Sequence, residues 1–93
     1  MPDPSRIDHK ASAALIPVFD RITKVRGLSR SVGNLPQDRY AAAAFSEVAT
    51  NLEKRASDRV HGVGDEPADA LNAESITLLR AASIVFGKRP LFP

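Results

Sequence analysis

The spacing of the apolar residues, cut into segments by glycine and proline, constrains this chain most. Ala11, Leu15, Val18, Ile22 and Val25 recur in alternating steps of four and three, which puts them on one stripe of an α-helix. Ala41, Phe45, Val48 and Leu52 repeat that spacing, and Ala56 and Val60 extend it by steps of four. Leu71, Ile76, Leu78, Leu79, Ala82, Val85 and Phe86 make a third apolar face, wider than half a helix circumference. Pro4, Pro36 and Pro67 stand at the starts of these segments, and Gly27, Gly33, Gly62, Gly64 and Gly87 at their ends. Proline suits a first helical turn and glycine the residue past the last one.

The pattern predicts an all-α fold in a single domain, residues 1–93. A first helix is expected from about Pro4 to Arg26. Pro17 lies inside it, removes a backbone hydrogen bond and should kink or split it, so that residues 1–16 become a flexible or swapped arm. A long central helix is expected from an Asn34–Gln37 capping box to about Val60, with Gly62 ending it. A long C-terminal helix, packed antiparallel to the central one, is expected from Asp65 or Glu66, or from Asn72, to Gly87.

A chain of 93 residues buries a modest share of its surface, and small helical chains often gain stability by dimerising. Only 5% of the residues are aromatic, so Ala, Leu, Ile and Val must build the core. The third apolar face is wide enough to require burial on two sides. One of those sides is assigned to a second copy of the chain, through Leu71, Leu78, Ala82, Val85 and Phe86. Leu91 and Phe92, apolar residues at a terminus, are expected to meet a protein partner together with Asn51 and Arg55 on the polar flank of the central helix.

The sequence has no cysteine, which removes disulfides and thiolate metal sites and fits a reducing, cytoplasmic setting. No apolar run approaches the length of a membrane span. His9 and His61 are far apart and read as surface residues. The Gly-x-Gly of Gly62-Val63-Gly64 follows a helix instead of a strand, so it reads as an interhelical loop and not as a phosphate cradle. No serine sits in a nucleophile elbow. The expectation is a protein without catalytic, metal or cofactor sites. The net charge of +2 is a weak surplus for a nucleic-acid binder. The alternative reading nevertheless places nucleic-acid contacts at Arg21, Lys24, Arg26 and Arg30, where a helix, a turn at Gly27 and a Ser/Arg-rich stretch suggest a helix-turn-helix cut short by Gly33.

From about Leu28 to Phe92 the layout resembles that of the small quorum-sensing antiactivators of the TraM and QslA type. Leu35-Pro36 opens a long helix; Glu53-Lys54 followed by Ala56 resembles a stretch within the family's first long helix; Leu79, Ile84-Val85-Phe86-Gly87 and Pro90 resemble the end of its second. Val48-Ala49-Thr50 stands where that family's first long helix carries a basic cluster. The resemblance implies a helical hairpin that forms homodimers. It also implies direct binding to a LuxR-type transcription factor, which is kept off its promoter.

Overall fold

The computed structural model describes the backbone of residues 4–33 and 38–87, with side chains from residue 12 onward in those ranges. Among the described residues there are three α-helices and no strand: α1 (Pro4–Val32), α2 (Arg39–Val60) and α3 (Ala68–Gly87). None of these helices is long and apolar enough to cross a membrane. The molecule is elongated, 57 × 17 × 16 Å, because α1 alone has 29 residues and each helical residue adds about 1.5 Å.

The expected stripe of α1 is the centre of the core. Leu15, Val18, Ile22 and Val25 are buried, and Ser29 and Val32 continue the same four-three spacing. The helix therefore ends at Val32, not at Arg26, and Gly27 lies inside it instead of forming a turn. An interior glycine costs a helix about 1 kcal/mol relative to alanine. Burying Val32, with Leu28 packed against the core, more than offsets that, since a fully buried aliphatic side chain contributes about 1.5–3 kcal/mol. Pro17 also lies within this one helix, on its exposed side. The buried Leu15 and Val18 anchor the chain before and after it.

The register of α2 differs from the expected one. Ala42, Ala49, Leu52 and Ala56 are buried, Ala41, Phe45 and Val60 pack at the edge of the core, and Val48 is 46% exposed. The face toward α1 is thus turned from Val48 to Ala49. The Leu, Ile and Val side chains of α1 need a facing row of small residues to interdigitate at native density, and Ala42, Ala49 and Ala56 supply it.

The end of α2 is a Schellman motif. Gly62 has φ +74°, a left-handed conformation that glycine adopts without steric cost. Its N–H donates to the Arg59 carbonyl at 3.2 Å, and the Val63 N–H donates to the Asp58 carbonyl at 2.8 Å. At the other end of α2 the N-cap is Asp38, whose side chain makes no capping bond; Asn34 and Gln37 lie outside the described residues. Helix α3 starts at Ala68, just after Pro67, whose carbonyl accepts from the Ala70 and Leu71 N–H groups. Its buried residues are Leu71, Ser75, Leu78, Ala82 and Phe86. The Ser75 hydroxyl is satisfied by the Asn72 carbonyl at 2.7 Å.

The C-terminal helix was expected to pack antiparallel to the central one; α2 and α3 do touch, but α1 packs far more extensively on both. The reason is side-chain supply: α1 presents the continuous row of large aliphatics, which the small Ala42, Ala49 and Ala56 of α2 and the larger Leu71, Leu78 and Phe86 of α3 complete into one core.

Candidate functional site

The α2–α3 seam is closed at one end by charge. Arg55 donates to both carboxylate oxygens of Glu66, at 2.7 and 2.6 Å, and to both of Glu74, at 2.9 and 2.8 Å. One guanidinium thereby ties α2 to the interhelical loop and to α3. Arg59 adds a bond from Nε to the Glu66 carbonyl at 3.0 Å. The hydrogen bonds from Arg55 hold the Glu66 carboxyl below its ordinary range, against the opposing effect of desolvation. The same carboxylates raise the Arg55 pKa, so the guanidinium stays charged.

This clamp gives a pH-dependent contribution of known sign. A depressed carboxyl pKa stabilises the fold above the unfolded value and loses that stabilisation as pH falls through the folded value. The melting temperature should therefore fall on the acid side, between about pH 5 and pH 3. Arg55→Met should lower the melt at neutral pH and shrink that acid-side drop. A full acid-side drop in the Arg55→Met protein would assign it to other carboxyls. Arg55, expected to meet a partner, is engaged within the chain, and the adjacent Asn51 is exposed with its Oδ1 3.4 Å from Arg55 Nη1.

Beyond the clamp the seam opens into a groove of about 220 Å³ lined by Ala44, Phe45, Val48 and Leu78, with no polar residue. Ala81 and Val85 follow Leu78 at steps of three and four, so they share its face. Val85 is 40% exposed. Phe45 meets Phe86 edge to face, with ring centroids 5.2 Å apart.

Of the residues expected at a dimer seam, Leu71, Leu78, Ala82 and Phe86 are already buried inside one chain. Only Val85 keeps a large exposed surface. Helix α1 packs against the apolar face of α3. Leu91 and Phe92 lie outside the described residues. Sequence reasoning placed Val48 in the core and so missed it as a surface residue; the alanine at 49 was the signal that another register was available.

The basic segment is largely engaged within the chain. Arg21 donates to Asn72 Oδ1. Lys24 pairs with Asp20 at 3.2 Å, and Arg26 pairs with Glu53 and donates to Thr50. Arg30 makes no ion pair among the described residues. Because Gly27 is helical, this stretch holds no helix-turn-helix corner. His61 is exposed, with Nδ1 2.8 Å from the Ser57 carbonyl of its own helix end. Among the described residues no cluster of His, Asp or Glu is suited to hold a metal ion.

Comparison with protein-family models, with curated proteins and with solved structures gives no match.

Proposed function

We propose that this protein is a non-catalytic, protein-binding regulator that takes an apolar helix of its partner into the α2–α3 groove. The observation that carries the reading is the groove itself: Leu15, Val18, Ile22 and Val25 of α1 are buried within the chain, whereas the exposed Ala44 and Val48 line an apolar furrow left open to solvent. An amphipathic helix laid into such a furrow is a recurrent recognition mode, with anchors at helical spacing. The Arg55 clamp stops the furrow at one end and so fixes how far an inserted helix can run.

The layout shared with the TraM and QslA type of antiactivator supplies the class of partner, a LuxR-type transcription factor, and the mechanism, occlusion of the surface it needs for DNA binding or dimerisation. In the free protein two copies pair as a cytoplasmic homodimer. Catalysis has no part in this mechanism.

The test is displacement. A LuxR-type factor bound to its promoter fragment should be released by the wild-type protein, and Val48→Lys/Val85→Lys should lose that effect by tenfold or more while keeping its melting temperature within a few degrees. Release by the double variant at wild-type concentration would sink the groove. The alternative, nucleic-acid binding through Arg21, Lys24, Arg26 and Arg30, predicts that the protein itself shifts the promoter fragment and loses it steeply with salt. Three of those four side chains are engaged within the chain, which favours the protein partner.

A further inference from the structure

A second concavity lies on the opposite side of α2, between the last two turns of α1 and the first two of α2. It measures about 410 Å³, and Arg26, Ser29, Arg30, Gly33, Arg39 and Ser46 are among its lining residues. We infer that this cleft is a binding site for the phosphate group of a small molecule. Its defining feature is the convergence of arginines from two helices on one concave surface that no carboxylate lines.

The charges are unevenly satisfied. Arg26 shares its charge with Glu53, while Arg30 and Arg39 make no ion pair among the described residues. Asp38, next to Arg39 in sequence, is buried and does not line the cleft. Two like charges facing one concavity repel each other, and an anion between them removes the repulsion. The helix dipoles do little here, because the negative end of α1 and the positive end of α2 meet at the same place and oppose each other. The arginines must supply the attraction.

The second observation is independent of charge. Ser29 forms part of the cleft wall, is 1% exposed, and its Oγ has no hydrogen-bond partner. A helical serine ordinarily returns its hydroxyl to the carbonyl four residues back; Thr23 and Thr77 do so in this protein, at 2.9 and 3.1 Å. Ser29 instead leaves a buried donor unused at the base of a cationic cleft, where valine would otherwise continue the stripe.

Phosphate chemistry fits this donor set. Planar guanidinium groups bind phosphate oxygens in pairs with charge-assisted bonds, and a turn of the Ser29 side chain adds a neutral donor. The volume falls in the usual range of small-molecule sites, about 300–1,000 Å³, so it admits a phosphate with an organic group attached. A concave site suits a compact anion better than a duplex, whose phosphates approach along a convex or flat surface.

Amide and arginine Nε–H shifts in a 15N-labelled sample would be followed while adding inorganic phosphate, pyrophosphate or adenosine monophosphate at constant ionic strength. Saturable shifts at Ser29, Arg30, Arg39 and Ser46 are expected, with Arg30→Ala and Arg39→Ala each weakening binding on the order of tenfold. Both side chains are exposed, so these variants should fold normally. Ser29→Ala should raise the melting temperature, by removing an unpaired buried hydroxyl, and weaken binding in the same protein. That opposite pair of effects separates a ligand role for Ser29 from a structural one. Tighter binding of adenosine monophosphate than of phosphate would assign the rest of the cleft to the organic group; equal binding would assign the site to the free anion. Shifts reproduced by chloride at the same ionic strength, or unchanged by both arginine variants, would overturn the inference. So would binding confined to a short DNA duplex, which would assign the arginines to nucleic acid.

Discussion

Phe86→Ala should lower the free energy of unfolding by about 3–5 kcal/mol, the usual cost of deleting a buried phenylalanine and leaving its cavity. Phe86 is the largest fully buried side chain among the described residues, and it also loses its edge-to-face contact with Phe45. A domain of this size holds roughly 5–15 kcal/mol in total, so the variant should retain only a fraction of its stability at 37 °C. A urea titration at two protein concentrations checks this. The midpoint should fall in both samples alike, because the lost contacts are inside one chain. A midpoint that fell only in the dilute sample would instead place Phe86 at a seam between copies.

Ala49→Lys and Val48→Lys, one residue apart, should behave in opposite ways. Ala49 is fully buried against α1. A lysine there must bury a long stem in a close-packed seam and desolvate its ammonium, at a cost on the order of 3 kcal/mol or more. Val48 faces solvent at the edge of the groove, and surface substitutions of this kind usually stay within about 0.5 kcal/mol. Thermal melts followed by circular dichroism would separate the two directly. If Val48→Lys were the damaging change, the register of α2 would be the one its first apolar stripe suggested, and the groove would be closed by Val48.

Periodicity was legible where the apolar residues were large. Leu15, Val18, Ile22 and Val25 lie on the buried stripe their spacing predicts, as do Leu71, Leu78, Ala82 and Phe86 in α3. Gly62 ends α2 as predicted, because a left-handed cap is a local requirement that one residue type meets at little cost. Gly27 shows the limit of the same rule. Its local preference for a helix end is worth about 1 kcal/mol, and the burial of Val32 outweighs it.

Neither concave surface was legible in this way. The groove depends on Val48 lying outside the core. In a helix that contains Ala41-Ala42-Ala43-Ala44, a face through Phe45 and Val48 and a face through Ala42 and Ala49 have similar periodicity. The cleft depends on Arg39, from α2, standing opposite Arg30, from α1, and sequence reading grouped Arg30 only with its neighbours along the chain. Arg55 likewise looked like a free surface cation, since its carboxylate partners lie 11 and 19 residues away.

The sequence by itself determined three helices, most of the residues that two of them bury, and where α2 stops, because these follow from side-chain size at helical spacing and from a backbone conformation that only glycine adopts without cost. Tertiary structure decided which face of the alanine-rich α2 turns inward, which cations are neutralised, and that α1 and not α2 is the hub of the core. Those choices rest on how well one helix surface fits another across space, and alanine carries too little side chain to settle them within its own helix.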